Sequence, residues 1–145
     1  MNPINVYQKE FAATTAESEK SKIQTGSFGP CCVVTWTSPA RAALAHIDDN
    51  TQVNSVELVV NTFRENSVDL KDIKATVMGG WYDNESSREW GFAVLEKISG
   101  LGIDDIDDEK MFKKSQPSFQ QLRTGVKMED LPKHYYMGAE VDAKT

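Results

Sequence analysis

The fold is decided by residues 31–47, which have the sequence CCVVTWTSPARAALAHI. The first part, CCVVTWT, is β-branched and aromatic, as is typical of a strand, and SPAR is typical of a turn. The apolar run AALAHI has the length of a second strand. We therefore predict a hairpin in which Cys31, at the start of one strand, lies beside His46, at the end of the other.

The segments that follow the hairpin alternate between helix and strand. Apolar residues at helical spacing predict an amphipathic helix over about residues 53–65. IKATVM, at residues 73–78, predicts a strand that ends at Gly79-Gly80, and SSRE, at 86–89, resembles the capping box of a helix that ends at Gly100. This order predicts an α+β or α/β fold, a β-sandwich or mixed sheet with flanking helices.

The remaining segments give weaker signals. Residues 12–22 are polar and poor in apolar side chains, which predicts a loop or a frayed helix. Glycines and a proline in residues 24–30 predict a turn that leads into Cys31. The acidic stretch Asp104–Glu109 predicts a solvated loop, and residues 111–145 show no clear period. We expect a single domain over residues 1–145.

Composition restricts the classes of function. The chain has 145 residues, 39% of them hydrophobic, which is enough for one core without disulfides or metal. Its net charge of −6, without a run of basic residues, predicts no nucleic-acid partner. The polar start of the sequence and the lack of any long apolar run predict no signal peptide, no membrane association and a cytoplasmic protein.

The candidates for nucleophilic chemistry are few. Cys31 and Cys32 are adjacent, so they are expected to be free thiols, and strand alternation sends them to opposite faces of the sheet. His46 and His134 are the two histidines of the sequence. A cysteine nucleophile needs an adjacent base, which favours His46 beside Cys31. The alternative is that both are structural, because free cysteines are often small buried hydrophobes.

Other kinds of site have no support in the sequence. Two adjacent cysteines do not supply the spaced pairs of a tetrahedral zinc site. The acidic stretch lacks the alternating oxygen ligands around a glycine that a calcium loop requires, and the glycines form no phosphate-binding fingerprint. We therefore expect no metal site.

A family resemblance rests on three short strings. TGSFGPC, at residues 25–31, precedes the hairpin, AHID begins at Ala45, and MGGWYD begins at Met78. Together these resemble the cysteine deamidase superfamily over about residues 22–106. The first string and the order of elements resemble the chemoreceptor glutamine deamidases and the catalytic domains of cytotoxic necrotizing factor toxins. The other two strings resemble the protein N-terminal asparagine amidohydrolases.

The resemblance implies a cofactor-free hydrolase with a catalytic triad. Cys31 would attack a Gln or Asn carboxamide, His46 would transfer protons, and Thr25 would orient the imidazole. Cys32 is then a buried neighbour. The chemoreceptor enzymes carry Gly-Ser-Cys where this chain has a proline at position 30, and proline has no N–H to donate to an oxyanion hole.

Further residues have a possible role in substrate binding. Trp81 and Tyr82 could wall a substrate pocket or could simply pack. Asp48 could hold a substrate α-amino group, although Asp48 and Asp49 together are also typical of a turn. His134 is more typical of a surface residue than of a rival base.

We therefore expect a chemoreceptor-deamidase-like domain that converts a Gln or Asn carboxamide on a protein substrate to the carboxylate. An N-terminal asparagine amidohydrolase-like activity and a non-catalytic protein-binding module on the same fold are the alternatives. Because toxins belong to the superfamily, delivery to a host cell is an alternative to the cytoplasmic location.

Overall fold

A computed structural model describes residues 2–82, 84–112 and 136–144. The strands are β1 (Ile4–Val6), β2 (Phe11–Thr15), β3 (Lys22–Thr25), β4 (Cys32–Ser38), β5 (Arg41–Ile47), β6 (Lys74–Gly79), β7 (Asp105–Met111) and β8 (Ala139–Asp142). The α-helices are α1 (Ser55–Glu65) and α2 (Glu85–Gly100). Two 3₁₀ turns, Asn50–Asn54 and Leu70–Asp72, precede α1 and β6.

The predicted hairpin is confirmed and forms the centre of a five-stranded sheet with the order β2-β5-β4-β6-β7. β4 pairs antiparallel with both β5 and β6, and β6 pairs parallel with β7. The sheet is therefore mixed, as the sequence predicts. Its middle strand is buried on both faces because Val33 and Val34, which point in opposite directions, are both fully buried.

A second sheet has three strands in the order β1-β3-β8. β1 is parallel to β3, with Val6 opposite Thr25, and β8 is antiparallel to β3, with Ala139 opposite Thr25. Thr25 is thus the last residue of the central strand. It lies between its two neighbours, where the chain leaves the sheet toward Cys31.

Two apolar cores hold three layers together. One core lies between the five-stranded sheet and the helices, where Val34 and Trp36 pack with Val60 and Phe63 of α1 and with Ile98 of α2. The other lies between the sheets, where Val33 and Leu44 of the hairpin pack with Val6, Ile23 and Val141. The architecture is α+β: two stacked sheets with both helices on the outer face of the larger one.

The helices begin where local capping allows them to. The helix predicted over residues 53–65 is α1, whose first residues instead form the 3₁₀ turn Asn50–Asn54. The capping-box prediction for α2 is wrong. The cap is Asn84, whose Oδ1 accepts a hydrogen bond of 3.0 Å from the backbone N–H of Ser87. This cap leaves the Ser87 hydroxyl free for another contact.

Two loop predictions are also wrong. Residues 12–22 contain most of β2 and the start of β3, and β2 is a short strand at a sheet edge, where few apolar residues are needed. The acidic stretch Asp104–Glu109 lies mostly in β7, at the edge of the five-stranded sheet, where its charged side chains remain in solvent. Within residues 111–145, β8 completes the smaller sheet. Among the described residues, neither helix is long and apolar enough to cross a membrane.

Candidate active site

The two sheets meet through a buried hydrogen bond between Thr25 and His46. Thr25 Oγ1 lies 2.8 Å from His46 Nδ1 and 2.7 Å from the carbonyl oxygen of Val6. A hydroxyl has one proton, and the carbonyl can only accept it, so Thr25 donates to Val6 and accepts from His46. This arrangement places a proton on Nδ1 of the imidazole.

The tautomer makes Nε2 the basic nitrogen of His46. Nε2 is buried and has no hydrogen-bond partner in the described part of the chain. Burial lowers the pKa of His46 below its ordinary value of 6.5, against the carboxylate of Asp48, which raises it. The ring is therefore neutral at pH 7, with an unpaired lone pair that can accept a proton.

The backbone around His46 fixes the ring's position. The N–H of His46 donates to the carbonyl of Glu10 at 3.0 Å, and its carbonyl accepts from the N–H of Lys9 at 3.1 Å. Phe28 packs its ring edgewise at 5.9 Å from the imidazole, and Tyr136 stacks on Phe28 at 5.1 Å. Phe28 lies inside the TGSFGPC string, yet its role was not evident from the sequence.

The hairpin register separates the two cysteines. Val33 pairs with His46 and Cys32 pairs with Ile47, so the residue opposite His46 is Val33 and not, as predicted, Cys31, which precedes the first residue of β4. Because side chains alternate along a strand, Cys31 shares the face of Val33 and His46, whereas Cys32 faces the helices. The core memberships agree: Cys31 packs in the core between the sheets, and Cys32 packs in the core beneath the helices.

Cys31 is held as a thiol in the free protein. Its side chain is 5% exposed, and this burial, followed by the carboxylate of Asp48, raises its pKa to about 11. The backbone N–H of Cys31 itself acts in the opposite direction and lowers the pKa of the thiol. The pKa of Cys32 rises to about 12 because it is buried and lies beside Cys31. Neither thiol is appreciably ionised at neutral pH.

Asp48 brings an unpaired carboxylate oxygen to the same place. It follows the last paired residue of β5, and its charge acts on both Cys31 and His46. Its Oδ1 is buried without a hydrogen-bond partner among the described residues, while its backbone N–H donates to Gln52 Oε1 at 3.0 Å. A cationic group is the partner that such an oxygen favours.

The segment before Cys31 is tied to the turn that follows β6. The N–H of Gly80 donates to the carbonyls of Gly29 at 2.9 Å and Cys31 at 3.1 Å. Ser87, which is fully buried, donates its hydroxyl to the carbonyl of Pro30 at 2.7 Å. No signal in the sequence points to this contact, because it joins residues that are 57 positions apart.

Two predicted substrate-binding residues lie beyond this turn. Trp81 is half-buried and directly follows Gly80, and its N–H donates to Ser87 Oγ at 2.7 Å. Tyr82 is half-exposed and makes edge-to-face contacts with Phe92 and Phe112, on the side of the helix-covered core. The structure thus joins Thr25 and His46 directly and places the charge of Asp48 where it acts on both Cys31 and His46, and substrate roles for Trp81 and Tyr82 stay predictions.

Two further predictions concern His134 and metal binding. His134, considered as a rival base, lies outside the described residues. Within the described ranges, no cluster of three or more His, Cys, Asp or Glu side chains could hold a metal ion.

The fold is that of an α+β domain in which a threonine of one sheet holds a histidine of the other, on the hairpin face that also carries Cys31. The family model for protein N-terminal asparagine amidohydrolases matches residues 2–119 of the chain. The chain belongs to this family. The resemblance to the deamidase superfamily, drawn from the three short strings, is thereby confirmed.

One solved structure shows the same fold at low sequence identity. The crystal structure of YlmD from Geobacillus stearothermophilus is 11% identical, with a TM-score of 0.53, over 70% of this chain and 50% of that one. The hypothetical protein YfiH from Bacillus licheniformis is 11% identical, with a TM-score of 0.36, over 63% of this chain and 49% of that one. The chain thus spans about half the length of these proteins. No curated protein matches it.

Proposed function

We propose that the protein is a cysteine-dependent deamidase that hydrolyses the side-chain amide of an asparagine at the amino terminus of a peptide or protein. Cys31 is the nucleophile, His46 the general base and acid, and Thr25 the residue that orients the imidazole. The hydrogen bonds from His46 Nδ1 through Thr25 to the Val6 carbonyl carry the proposal, because they leave Nε2 as the only nitrogen able to accept a proton.

The reaction has two halves. Cys31 Sγ attacks the carboxamide carbon while its proton passes to His46 Nε2, and the carbonyl oxygen becomes an oxyanion. His46 then returns the proton to the departing nitrogen, the C–N bond breaks, and ammonia leaves a thioester. Water, deprotonated by the same nitrogen, attacks the thioester. The C–S bond breaks, the thiol regains its proton and the product is an aspartate side chain.

The raised pKa of Cys31 favours a substrate that carries a positive charge. Burial is the largest cause of this raised pKa, and the Asp48 carboxylate is the second largest. An α-ammonium group bound to Asp48 Oδ1 would neutralise the second cause, so the thiol would become more acidic when the substrate arrives. An internal glutamine has no such charge. For this reason we place the amino-terminal asparagine ahead of a glutamine side chain.

Ammonia release from peptides tests the proposal. We expect turnover of a peptide with an amino-terminal asparagine, and loss of turnover in Cys31→Ser and His46→Ala. Cys32→Ala is the matched control, since it removes the neighbouring thiol on the other face of the sheet and should leave turnover unchanged. Full activity in Cys31→Ser would contradict the mechanism.

Two further peptides separate the alternatives. An N-acetylated asparagine peptide has the same amide but no α-ammonium, and it should not be hydrolysed. A peptide with an internal glutamine tests the chemoreceptor-deamidase alternative, and preferential turnover of this peptide would overturn the assigned specificity. A non-catalytic binding module is the second candidate, favoured by the burial of Cys31. It would bind asparagine peptides without releasing ammonia.

A further inference from the structure

The Ser87 hydroxyl makes two hydrogen bonds, one of them to the segment that precedes Cys31. Its Oγ accepts from the Trp81 N–H and donates to the Pro30 carbonyl, both at 2.7 Å. Its own N–H donates to Asn84 at the start of α2. The side chain has no exposed surface. One hydroxyl therefore joins the helix, the turn after β6 and the segment before the cysteine.

The hydrogen bond from Ser87 to the Pro30 carbonyl also sets the direction of the Cys31 N–H, because both groups belong to the same peptide bond. Among the described residues no peptide bond is cis, so the carbonyl of Pro30 and the N–H of Cys31 point in opposite directions in one plane. Because Ser87 holds the carbonyl, the N–H points away from α2. The adjacent carbonyls of Gly29 and Cys31 are held by the Gly80 N–H, which prevents the segment from rotating.

The Cys31 N–H is important because the residue before it supplies no backbone donor. The preceding residue is a proline and has no N–H, so the segment has one donor fewer than a Gly-Ser-Cys sequence would have. The backbone N–H of Cys31 lies next to the sulfur of its own side chain and acts to lower the pKa of the thiol. It is also a backbone donor beside the proposed nucleophile, where an oxyanion would form.

We infer that Ser87 is a positioning residue that aims the backbone N–H of Cys31 at the thiolate and at the oxyanion of the reaction. This inference deepens the proposed function and rests on it for its catalytic part. Ser87 touches no reacting atom. It acts through the Pro30 carbonyl.

Alkylation of Cys31 by iodoacetamide tests the direction of the N–H without any substrate. In a Cys32→Ala background, Ser87→Ala should slow alkylation at pH 9 by about three- to tenfold, since one unit of pKa changes the thiolate fraction tenfold. If the Ser87 hydroxyl only stabilised the fold, its removal would loosen the structure around the buried thiol. The thiol would become more exposed, and alkylation would be faster instead of slower. Alkylation that is unchanged or faster would overturn the inference.

Asn84→Ala is the matched control. It removes the cap that accepts the Ser87 N–H but leaves the Ser87 hydroxyl on Pro30. It should lower the stability of the protein without slowing alkylation. Should Ser87→Ala fail to fold, Ser87→Cys supplies a weaker donor of similar shape, and mass spectrometry identifies the Cys31 adduct. A smaller decrease in rate is expected there, and an unchanged rate would overturn the inference.

Steady-state kinetics on the amino-terminal asparagine peptide test the catalytic part. Ser87→Ala should lower kcat by about tenfold, because misplacing a group near the reacting atoms commonly costs one to two orders of magnitude, and should leave KM within about twofold. If the wild-type protein is active and Ser87→Ala has the same kcat, the role assigned to Ser87 is overturned and the proposed function is not. A wild-type protein that releases no ammonia, with Ser87→Ala still slowing alkylation, would instead overturn the proposed function.

Discussion

Thr25 and His46 belong to different sheets, and their side chains meet at 2.8 Å in the space between them. Thr25 ends the middle strand of the smaller sheet, whereas His46 lies near the end of the hairpin in the larger sheet. The pair therefore exists only when the two sheets are stacked. This dependence links the protonation state of the imidazole to the packing of the apolar core between them.

Thr25→Val tests the orienting role of the threonine. Valine keeps the branched shape but removes the acceptor for His46 Nδ1, so the favoured tautomer is lost. We expect kcat to fall by about 10²-fold, which is the lower end of what general acid–base catalysis contributes. Thr25→Ser retains the hydroxyl and should keep most of the activity. Equal activity in both variants would show that the hydroxyl has no role.

Asp48→Asn should have opposite effects on the thiol and on the substrate. Without the carboxylate, the pKa of Cys31 falls toward the value set by burial, so alkylation becomes faster. The KM for an amino-terminal asparagine peptide should rise about 10- to 100-fold, since a hydrogen bond to a charged group contributes about 1.5–3 kcal/mol. Asp49→Asn is the control for charge alone. Similar KM values in both variants would argue against an ammonium site at Asp48.

His46 should make the stability of the protein depend on pH. Burial lowers its folded pKa below the ordinary value of 6.5, so between these two pKa values the unfolded chain binds more protons than the folded one. The free energy of unfolding therefore falls as the pH decreases below about 6.5, by at most about 1.4 kcal/mol per pH unit for one proton. Urea unfolding from pH 7 to pH 5 measures this slope. His46→Gln should flatten it, and parallel curves would exclude His46 as the cause.

Gly79 should tolerate no side chain. Its φ is +85°, and a Cβ there would lie 2.3 Å from the carbonyl oxygen of Cys31, which is part of the backbone and cannot move aside alone. We expect Gly79→Ala to lower the free energy of unfolding by at least about 1–2 kcal/mol, the usual cost of the left-handed conformation. Gly26→Ala is the control, because a Cβ at Gly26 would meet nothing within 4 Å. Comparable unfolding midpoints would contradict the clash.

Local patterns were sufficient for the central elements. The hairpin and the apolar faces of α1 and α2 follow from short-range periodicity, because alternation and helical spacing act within a few residues. The edge strands β2 and β7 were missed because edge strands carry polar and charged side chains, which in sequence resemble loops. The Asn84 cap was missed because Ser86 offered an equally plausible start for α2.

The sequence by itself determined which residues could do chemistry: it contains two cysteines and two histidines, and the predicted hairpin brought Cys31 and His46 to the same end of two neighbouring strands. Only the tertiary structure decided their environment. The tautomer of His46 depends on a threonine from another sheet, and the position of Cys31 depends on a serine that is 57 residues away along the chain. Such contacts have no local pattern, because they arise when distant segments pack against each other and each buried polar atom must find a partner.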